Sequence, residues 1–170
     1  MGVDANNGMF PLAYAYVEIE SNSTWLWFFE LLSGDLNIRN NHGYVFMNDK
    51  QKGLIDVVDA LFPHAEHRHC LQHLFGNFYL EHRGLSLKRQ MEAIARATTV
   101  SWFHAKMRKM LELSKPAHDW LAKKYPRHWS RAYFKSDSKC DMLMNNLCEA
   151  LNRSIMDARD KPIMTMLEKI

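Results

Sequence analysis

The feature that most constrains the fold is a short, wholly apolar run that separates two helical patterns. Residues 44–47, Tyr-Val-Phe-Met, are bounded by polar residues, which is typical of a buried strand in a parallel sheet. Apolar residues at helical spacing predict one helix over residues 25–32 and another over residues 54–61, which ends before Pro63. Strands that alternate with helices in this way predict an α/β fold.

Two further segments of the first half have the patterns of strands. Asn6-Asn7-Gly8 has the composition of a tight hairpin turn, so residues 2–4 and 12–19 are predicted to be its two arms. The second arm is apolar enough for a mostly buried position, and residues 65–71, although rich in histidine, predict a further strand. Because the first arm is only a few residues long, we expect the natural chain to extend upstream of Met1.

Only helical patterns follow from about residue 85 onward. Apolar residues at helical spacing predict helices around residues 91–95, 100–111, 116–121 and 140–158, with a basic aromatic stretch at 129–134. The chain is therefore predicted to have three parts: residues 1–84 as the first part of an α/β core, residues 85–139 as a basic helical insertion, and residues 140–170 as a core helix that carries Glu149.

The net charge of +3 conceals an uneven distribution along the chain. Residues 80–135 contain 13 Lys and Arg but only 4 Asp and Glu, whereas the rest of the chain contains 9 basic and 15 acidic residues. A basic helical section on an acidic body suits a protein that binds a polyanion such as nucleic acid. A solvated helical face rich in lysine explains the same counts equally well.

Composition excludes several classes of protein. Hydrophobic residues make up 47% of the chain and charged residues 24%, so the chain can bury a core and is not expected to be disordered. No apolar run approaches the length of a membrane span, about 18 residues. The three cysteines cannot all pair with one another and no signal peptide pattern precedes them, which makes a reducing compartment the default.

Asp49 is the first candidate for chemistry. It comes at the carboxyl end of the predicted strand 44–47, where α/β sheets place their ligands. A carboxylate at that position could hold a hard cation such as Mg²⁺, which prefers oxygen ligands. The alternative is a helix cap, in which Asn48 or Asp49 accepts hydrogen bonds from the backbone of the next helix. From these residues alone the cap is the commoner arrangement.

Glu149 is the second candidate. Helical spacing places it on the polar side of the last predicted helix, opposite an apolar stripe, together with four other residues: Asn145, Asn146, Asn152 and Arg153. Asparagine is a mediocre helix former, so three of them on one face are unusual for solvation alone. A carboxylate flanked by amides could bind a metal while the amides orient it or bind a phosphate. An ordinary polar face is the alternative.

Histidines and a cysteine cluster around the predicted strand 65–71, as His64, His67, His69, Cys70 and His73. Zinc ligands often have such spacings, but one Cys-x2-His pair is a weak signal because structural zinc sites combine two defined pairs. Histidines beside a buried strand more often make structural hydrogen bonds, which is the favoured alternative. The other two cysteines, Cys140 and Cys148, are predicted to be core thiols.

Four sequence blocks in order resemble one known family. They are Gly2-Val-Asp-Ala-Asn-Asn-Gly-Met-Phe-Pro-Leu-Ala-Tyr-Ala, Asn48-Asp49-Lys-Gln-Lys-Gly-Leu54 followed by Phe62-Pro-His-Ala, Arg68-His-Cys70-Leu-Gln-His73-Leu-x-x-Asn77, and Asn145-Asn-Leu-Cys-Glu149-Ala-Leu-Asn152. Each block alone is a weak signal, but the ordered set is specific and covers nearly the whole chain. The set resembles the plant Mutator-like (MULE, MuDR) transposase domain.

This resemblance implies a ribonuclease H-like (retroviral integrase-like) fold, a mixed sheet with flanking helices and an all-helical insertion. It implies DNA transposition by an Asp-Asp-Glu triad that holds two Mg²⁺ (or Mn²⁺) ions. By position, Asp49 corresponds to the second aspartate and Glu149 to the glutamate. Cys70 and His73 match the Cys-x2-His signature of the family, with a structural or DNA-linked role.

The first aspartate of the family lies on a strand before Gly2, which this chain does not contain, and Asp4 does not replace it. The resemblance therefore implies a transposase fragment that keeps two of three catalytic carboxylates and is expected to be impaired. Its implied partner is DNA, both transposon ends and target, with phosphate contacts from the Asn145–Arg153 polar face. The implied location is the nucleus, no membrane is involved, and an intact transposase would be able to form homo-oligomers.

Two other functions remain open at this stage. A domesticated, non-catalytic DNA-binding or regulatory protein on the same fold is favoured by the missing first strand and disfavoured by the retained Asp49 and Glu149. A helical zinc protein unrelated to DNA would require stoichiometric zinc and no salt-sensitive DNA binding.

Overall fold

A computed structural model of the chain describes residues 1–3, 8–39, 41–48, 53–144, 156 and 161–169. The chain divides into two compact units, one formed by Met1–Ala15 with Asn145–Ile170 and the other by Tyr16–Met144. Several predicted site residues lie outside the described residues, namely Asp49, Asn145, Asn146, Glu149, Asn152 and Arg153. None of the described helices is long and apolar enough to cross a membrane.

The described elements are both strands and helices, as an α/β chain requires. In chain order they are β1 (Gly2–Val3), β2 (Met9–Phe10), α1 (Asn22–Asp35), β3 (Val45–Asn48), α2 (Leu54–Leu61), β4 (Glu66–His69), α3 (Leu71–Glu81), α4 (Leu85–Ala95), α5 (Val100–Leu113), α6 (Lys115–Ala122), two 3₁₀ turns at Pro126–His128 and Arg131–Tyr133, and α7 (Ile163–Lys169). The ribonuclease H-like arrangement of these elements stays a prediction.

The start of the chain pairs as a hairpin, but its second arm is Met9–Phe10 and not the predicted residues 12–19. β1 and β2 pair antiparallel, with Gly2 opposite Phe10. Residues 12–19 are not a strand, and their side chains are mostly exposed, with Ile19 exposed by 72%. The predicted buried strand there is wrong because β1 offers only two residues, and a strand needs a partner for its backbone groups.

β3 and β4 form a parallel pair, which confirms the parallel strand expected from the apolar run, although residues 45–47 are half-buried rather than buried. Val45 lies opposite Glu66 and Asn48 opposite His69, so both strands end at the same edge. Helices α1 and α2 pack together, and α1 begins at a capping box in which the Ser21 side chain accepts a hydrogen bond from the Thr24 backbone. The core of this part contains Phe29, Leu54, Val57, Val58 and Phe62.

A second core joins α3 to the helices that follow it. Its largest buried members are Leu71, Phe78, Met91, Ile94, Phe103, Met110, Leu121 and Trp129. The three helices predicted between residues 91 and 121 are confirmed, and Thr99 and Ser114 cap the second and third of them. Because α3 contributes to the same core, the helical packing begins before residue 85; the predicted boundary between core and insertion stays a prediction.

Residues 140–144 are not helical, which corrects the predicted start of the last helix at Cys140. A helix would use the carbonyl groups of these residues to bond N–H groups four positions later. Instead, the carbonyls of residues 140–143 accept hydrogen bonds from two arginine side chains and from the Leu71 N–H. We call residues 140–144 the return segment, because they lead back from the helices to β4 and α3.

Candidate functional site

The edge at which β3 and β4 end positions the residues that precede Asp49. Asn48 is the last residue of β3 and is buried, and its carbonyl accepts a hydrogen bond of 2.8 Å from the N–H of Cys70. The amide of its side chain donates to Nε2 of His67. Two separate contacts therefore hold the end of β3, and Asp49 follows directly, outside the described residues.

His67 is a buried histidine between two polar partners. Its Nε2 accepts from Asn48, and its Nδ1 lies 3.6 Å from Oδ1 of Asp59. Burial, the largest cause, lowers the pKa of His67 below 6.5, and the nearby His128 lowers it further, although Asp59 partly opposes the shift. His67 is therefore neutral at pH 7 and acts as a hydrogen-bonding member of the fold.

This histidine makes stability sensitive to mild acid. In the unfolded chain His67 takes up a proton near its ordinary pKa of about 6.5, whereas in the folded chain it does so only at lower pH. The free energy of unfolding should therefore fall as the pH drops below about 6.5 towards the folded pKa, by at most about 1.4 kcal/mol per pH unit. Urea unfolding at pH 7.5, 6.5 and 5.5 measures it.

The matched variants separate His67 from the other histidines. His67→Gln should flatten the pH dependence, whereas His73→Gln, at an exposed position on α3, should leave it unchanged. An equal pH dependence in wild type and His67→Gln would contradict the assignment.

His69 and His128 extend this cluster without forming a metal site. Their rings stack at 4.9 Å, Nδ1 of His128 donates to the His67 carbonyl at 2.6 Å, and Arg127 donates to Nε2 of His128 at 3.3 Å. Among the described residues, no group of three or more His, Cys, Asp or Glu could hold a metal ion, so the zinc alternative gains no support. Sequence reasoning missed His128, which lies 61 positions from His67 and has no recognisable motif.

Cys70 and His73 lie in one turn at the start of α3 but face opposite ways. Cys70 is 1% exposed, and its backbone joins β3 to α3, whereas the His73 side chain is exposed. Within the described part of the chain neither Cys70 nor Cys140 is in a disulfide. Cys70 thus occupies a structural position at the strand–helix junction, and a DNA-linked role of His73 stays a prediction.

A buried arginine on β4 binds the return segment. Arg68 is fully buried, and its Nη2 donates to Oε2 of Glu66 at 2.6 Å. Its Nη1 donates to the carbonyl of Cys140 at 2.8 Å and to that of Met142 at 3.5 Å. The guanidinium lies over the ring of Phe134, 3.7 Å from its centroid. Sequence reasoning placed Arg68 in a family block but did not identify this contact.

A second arginine binds the return segment beside the first. Nε of Arg131 donates to the Asp141 carbonyl at 2.9 Å, and its Nη2 pairs with the carboxylate of the same residue at 2.9 Å. The N–H of Leu71 donates to the carbonyl of Leu143 at 2.8 Å. We call Arg68 and Arg131 the arginine clamp. Together with Leu71, the clamp occupies four successive carbonyl groups.

Part of the positive charge of the helical part lies on α4 and α5. Gln90 on α4 donates to the carbonyl of Lys106 on α5 at 2.7 Å, which joins the two helices at this point. Arg89 directly precedes Gln90, and Lys109 follows Lys106 by three positions, on the same face of its helix. These three basic side chains make no ion pair within the described ranges. We call Arg89, Lys106 and Lys109 the basic seam.

Two other basic residues of the helical part are paired with carboxylates on their own helices. Arg96 pairs with Glu92 at 3.0 Å, and Lys115 pairs with Asp119 at 3.1 Å. Hydrogen bonds from His118 and Lys115 lower the pKa of Asp119, which keeps this carboxylate charged as the partner of Lys115. Most of the other basic residues between positions 80 and 135, the basic seam among them, are in no ion pair within the described part of the chain.

Comparison with known protein families gives one match. Residues 1–77 match the MULE transposase domain, and no curated protein matches the chain. The matched range includes Asp49, Cys70 and His73, whereas Glu149 and the basic seam lie beyond it. The match begins with the hairpin and ends inside α3. The first 77 residues of this chain are thus similar to the MULE transposase domain, the family that the ordered sequence blocks resemble.

Proposed function

We propose that the chain is part of the catalytic domain of a MULE-type DNA transposase, with a ribonuclease H-like fold and a nuclear site of action. Asp49 and Glu149 are the proposed ligands of Mg²⁺ (or Mn²⁺) for DNA strand cleavage and transfer. The observation that carries the proposal is the family match over residues 1–77, because that range contains β3, β4 and Asp49.

The end of β3 supports the role of Asp49. Carboxyl ends of parallel strands are where open α/β sheets bind ligands, and β3 and β4 are parallel and end in register. Asn48 is held there by Cys70 and by His67. The backbone directly before position 49 is therefore held in place, and a metal ligand needs such a fixed support.

The return segment supports the role of Glu149. The Leu71 N–H donates a hydrogen bond to the Leu143 carbonyl, and the N–H of the preceding residue, Cys70, donates one to the Asn48 carbonyl. The segments that lead to Asp49 and to Glu149 are therefore held by two consecutive residues of the chain. Glu149 follows Leu143 by six positions. That length spans at most about 20 Å when fully extended. The donor set also fits the ion, since hard divalent cations prefer carboxylate oxygen.

Each group of residues has a defined part in the proposed chemistry. When bound, the metal ions would lower the pKa of an attacking water or DNA 3′-hydroxyl and stabilise the leaving oxygen. Asp49 and Glu149 would hold those ions, and the polar side chains around Glu149 would bind phosphate. Arg89, Lys106 and Lys109 would bind the DNA backbone by charge, without reading sequence.

Metal binding and DNA cleavage test this proposal on the purified 170-residue chain. Mn²⁺ should bind, and Asp49→Asn or Glu149→Gln should abolish that binding. Asp56→Asn, which removes an exposed carboxylate from the first turn of α2, is the control and should bind Mn²⁺ as wild type does. Because this chain contains two of the three family carboxylates, we expect little nicking of DNA. Strong Mg²⁺-dependent nicking that Asp49→Ala abolishes would contradict that expectation.

A second function is a non-catalytic DNA-binding or regulatory protein on the same scaffold. The observation in its favour is the excess of basic over acidic residues between positions 80 and 135, which suits DNA binding without cleavage. Salt-sensitive DNA binding together with Mn²⁺ binding that ignores Asp49 and Glu149 would favour this function over the catalytic one.

A further inference from the structure

We propose that Trp102 stacks on an unpaired base of single-stranded DNA whose phosphates contact the basic seam. The inference deepens the proposed function by naming the form of DNA that this surface binds, and it rests on that function for the identity of the polyanion. Its basis is one face of α5, on which an exposed indole precedes two lysines, Lys106 and Lys109.

Trp102 contributes little to the core of the helical part. Its side chain is 61% exposed, the largest exposed fraction among the five tryptophans of the chain. α5 buries another face instead, which carries Phe103, Met107 and Met110. Within the described part of the chain, the Trp102 indole makes no hydrogen bond and no ring contact. Its ring is therefore available to a ligand.

The helix places the indole and the two lysines in a line. Lys106 and Lys109 follow Trp102 by four and seven positions, which return to the same side of a helix. The helical rise spreads the three residues over about 10 Å of the axis. The backbone N–H of Trp102 donates to the side chain of Thr99, which caps α5, at 3.2 Å. The indole is thus attached to a fixed first turn.

The charge around the indole is complementary to a polyanion. α4 and α5 together contain five Lys and Arg and two Glu, and one of these carboxylates, that of Glu92, is paired with Arg96 at 3.0 Å. Neither Lys106 nor Lys109 is in an ion pair with another described residue. A nucleic acid strand has a partner for each group, because its phosphates bind the lysines and its bases bind the indole.

The indole distinguishes a single strand from a duplex. In a duplex the faces of the bases are stacked on one another, so a protein surface meets only phosphates, sugars and the base edges in the grooves. An unpaired base exposes its faces, and stacking on an aromatic side chain binds any base without reading sequence. Cations alone bind both forms by charge. Trp102 therefore adds affinity for a single strand in particular.

Fluorescence anisotropy of the full chain tests the inference, with labelled oligo(dT) of about 12 nucleotides and a labelled duplex of the same length. Trp102→Ala should raise the Kd for oligo(dT) by about tenfold, the usual loss for one base stack, and that for the duplex by less than about twofold. Trp102→Phe keeps a smaller ring and should give an intermediate Kd. The matched control is Trp27→Ala, because Trp27 is 48% exposed on α1, a helix without Lys or Arg, and it should bind oligo(dT) as wild type does.

The salt dependence separates stacking from charge. Because Trp102→Ala removes no charge, its slope of log affinity against log salt concentration should equal that of wild type while the affinity is lower at every salt concentration. Equal losses on oligo(dT) and on the duplex, or wild-type affinity for both, would overturn the inference. Oligo(rU) of the same length is the third ligand, and tighter binding of oligo(rU) than of oligo(dT) would overturn the assignment to DNA. All titrations are run well below the unfolding midpoint of each variant.

The inference and the proposed function can fail separately. If Asp49→Asn and Glu149→Gln lose Mn²⁺ binding but Trp102→Ala binds oligo(dT) as wild type does, the inference fails and the proposed function stands. If those two variants bind Mn²⁺ as wild type does while Trp102→Ala loses affinity for oligo(dT) alone, the proposed metal site fails and the stacking role of Trp102 stands.

Discussion

Replacing Arg68 by alanine should lower the free energy of unfolding by about 3–5 kcal/mol, the usual effect of removing one partner from a buried ion pair. The substitution leaves the buried carboxylate of Glu66 without its cation and two carbonyls of the return segment without a donor. It also removes the guanidinium that covers Phe134. Urea unfolding monitored by tryptophan fluorescence measures the change.

Two comparisons show whether the loss comes from an unpaired buried charge. Glu66→Gln/Arg68→Met leaves no charge behind, so it should regain most of the stability that Arg68→Ala loses. Arg96→Ala breaks an exposed pair with Glu92 and should cost less than about 0.5 kcal/mol. A loss below about 1 kcal/mol in Arg68→Ala would mean that water or a rearranged partner compensates the buried charge.

The second large effect is expected in DNA binding. Neutralising the basic seam as Arg89→Gln/Lys106→Gln/Lys109→Gln should weaken binding of duplex DNA by about a hundredfold at 0.1 M salt. The reason is that each cation that contacts a phosphate releases a counterion from the DNA. Removing one such cation therefore makes the slope of log affinity against log salt concentration shallower by about 0.9. The slope should therefore become shallower by about 2.7 if all three side chains contact phosphates.

A charge-matched control distinguishes a site from a diffuse field. Arg39→Gln/Lys115→Gln/Lys123→Gln removes the same three positive charges from exposed positions outside α4 and α5. It should change the affinity and the salt slope much less than the variant of the basic seam. Equal losses in both triple variants, measured by fluorescence anisotropy over a range of salt concentrations, would show that net charge alone controls binding.

Local patterns predicted the elements that carry their own signals. The apolar run at 44–47 identified β3, and apolar residues at helical spacing identified α1 and α5. Local patterns gave wrong predictions where hydrogen bonding to distant residues decides the secondary structure. Residues 12–19 have the pattern of a buried strand, but β1 is too short to pair with them. Residues 140–144 have the pattern of a helix, but their carbonyls accept hydrogen bonds from arginine side chains instead.

The residues of the candidate site likewise include some that local patterns could predict and some that they could not. Asp49, Cys70 and His73 could be proposed from the sequence because each follows a recognisable strand end or belongs to a motif, and all three lie within the family match over residues 1–77. His128 and the pairing of Arg68 with the return segment could not be identified. These contacts join residues that are 61 to 74 positions apart in the chain. A single contact over that distance produces no repeating pattern from which the sequence could predict it.

The sequence by itself determined the helices α1, α2, α4, α5 and α6, the strand before Asp49 and the excess of positive charge in the helical part. These follow from spacing, capping and composition, which act between residues close together in the chain. The tertiary structure alone decided which cations stay unpaired in the basic seam and which arginines bind the return segment. The contacts of Arg68 depend on burial, because a guanidinium removed from water has to be paired with the hydrogen-bond acceptors that the packing places beside it.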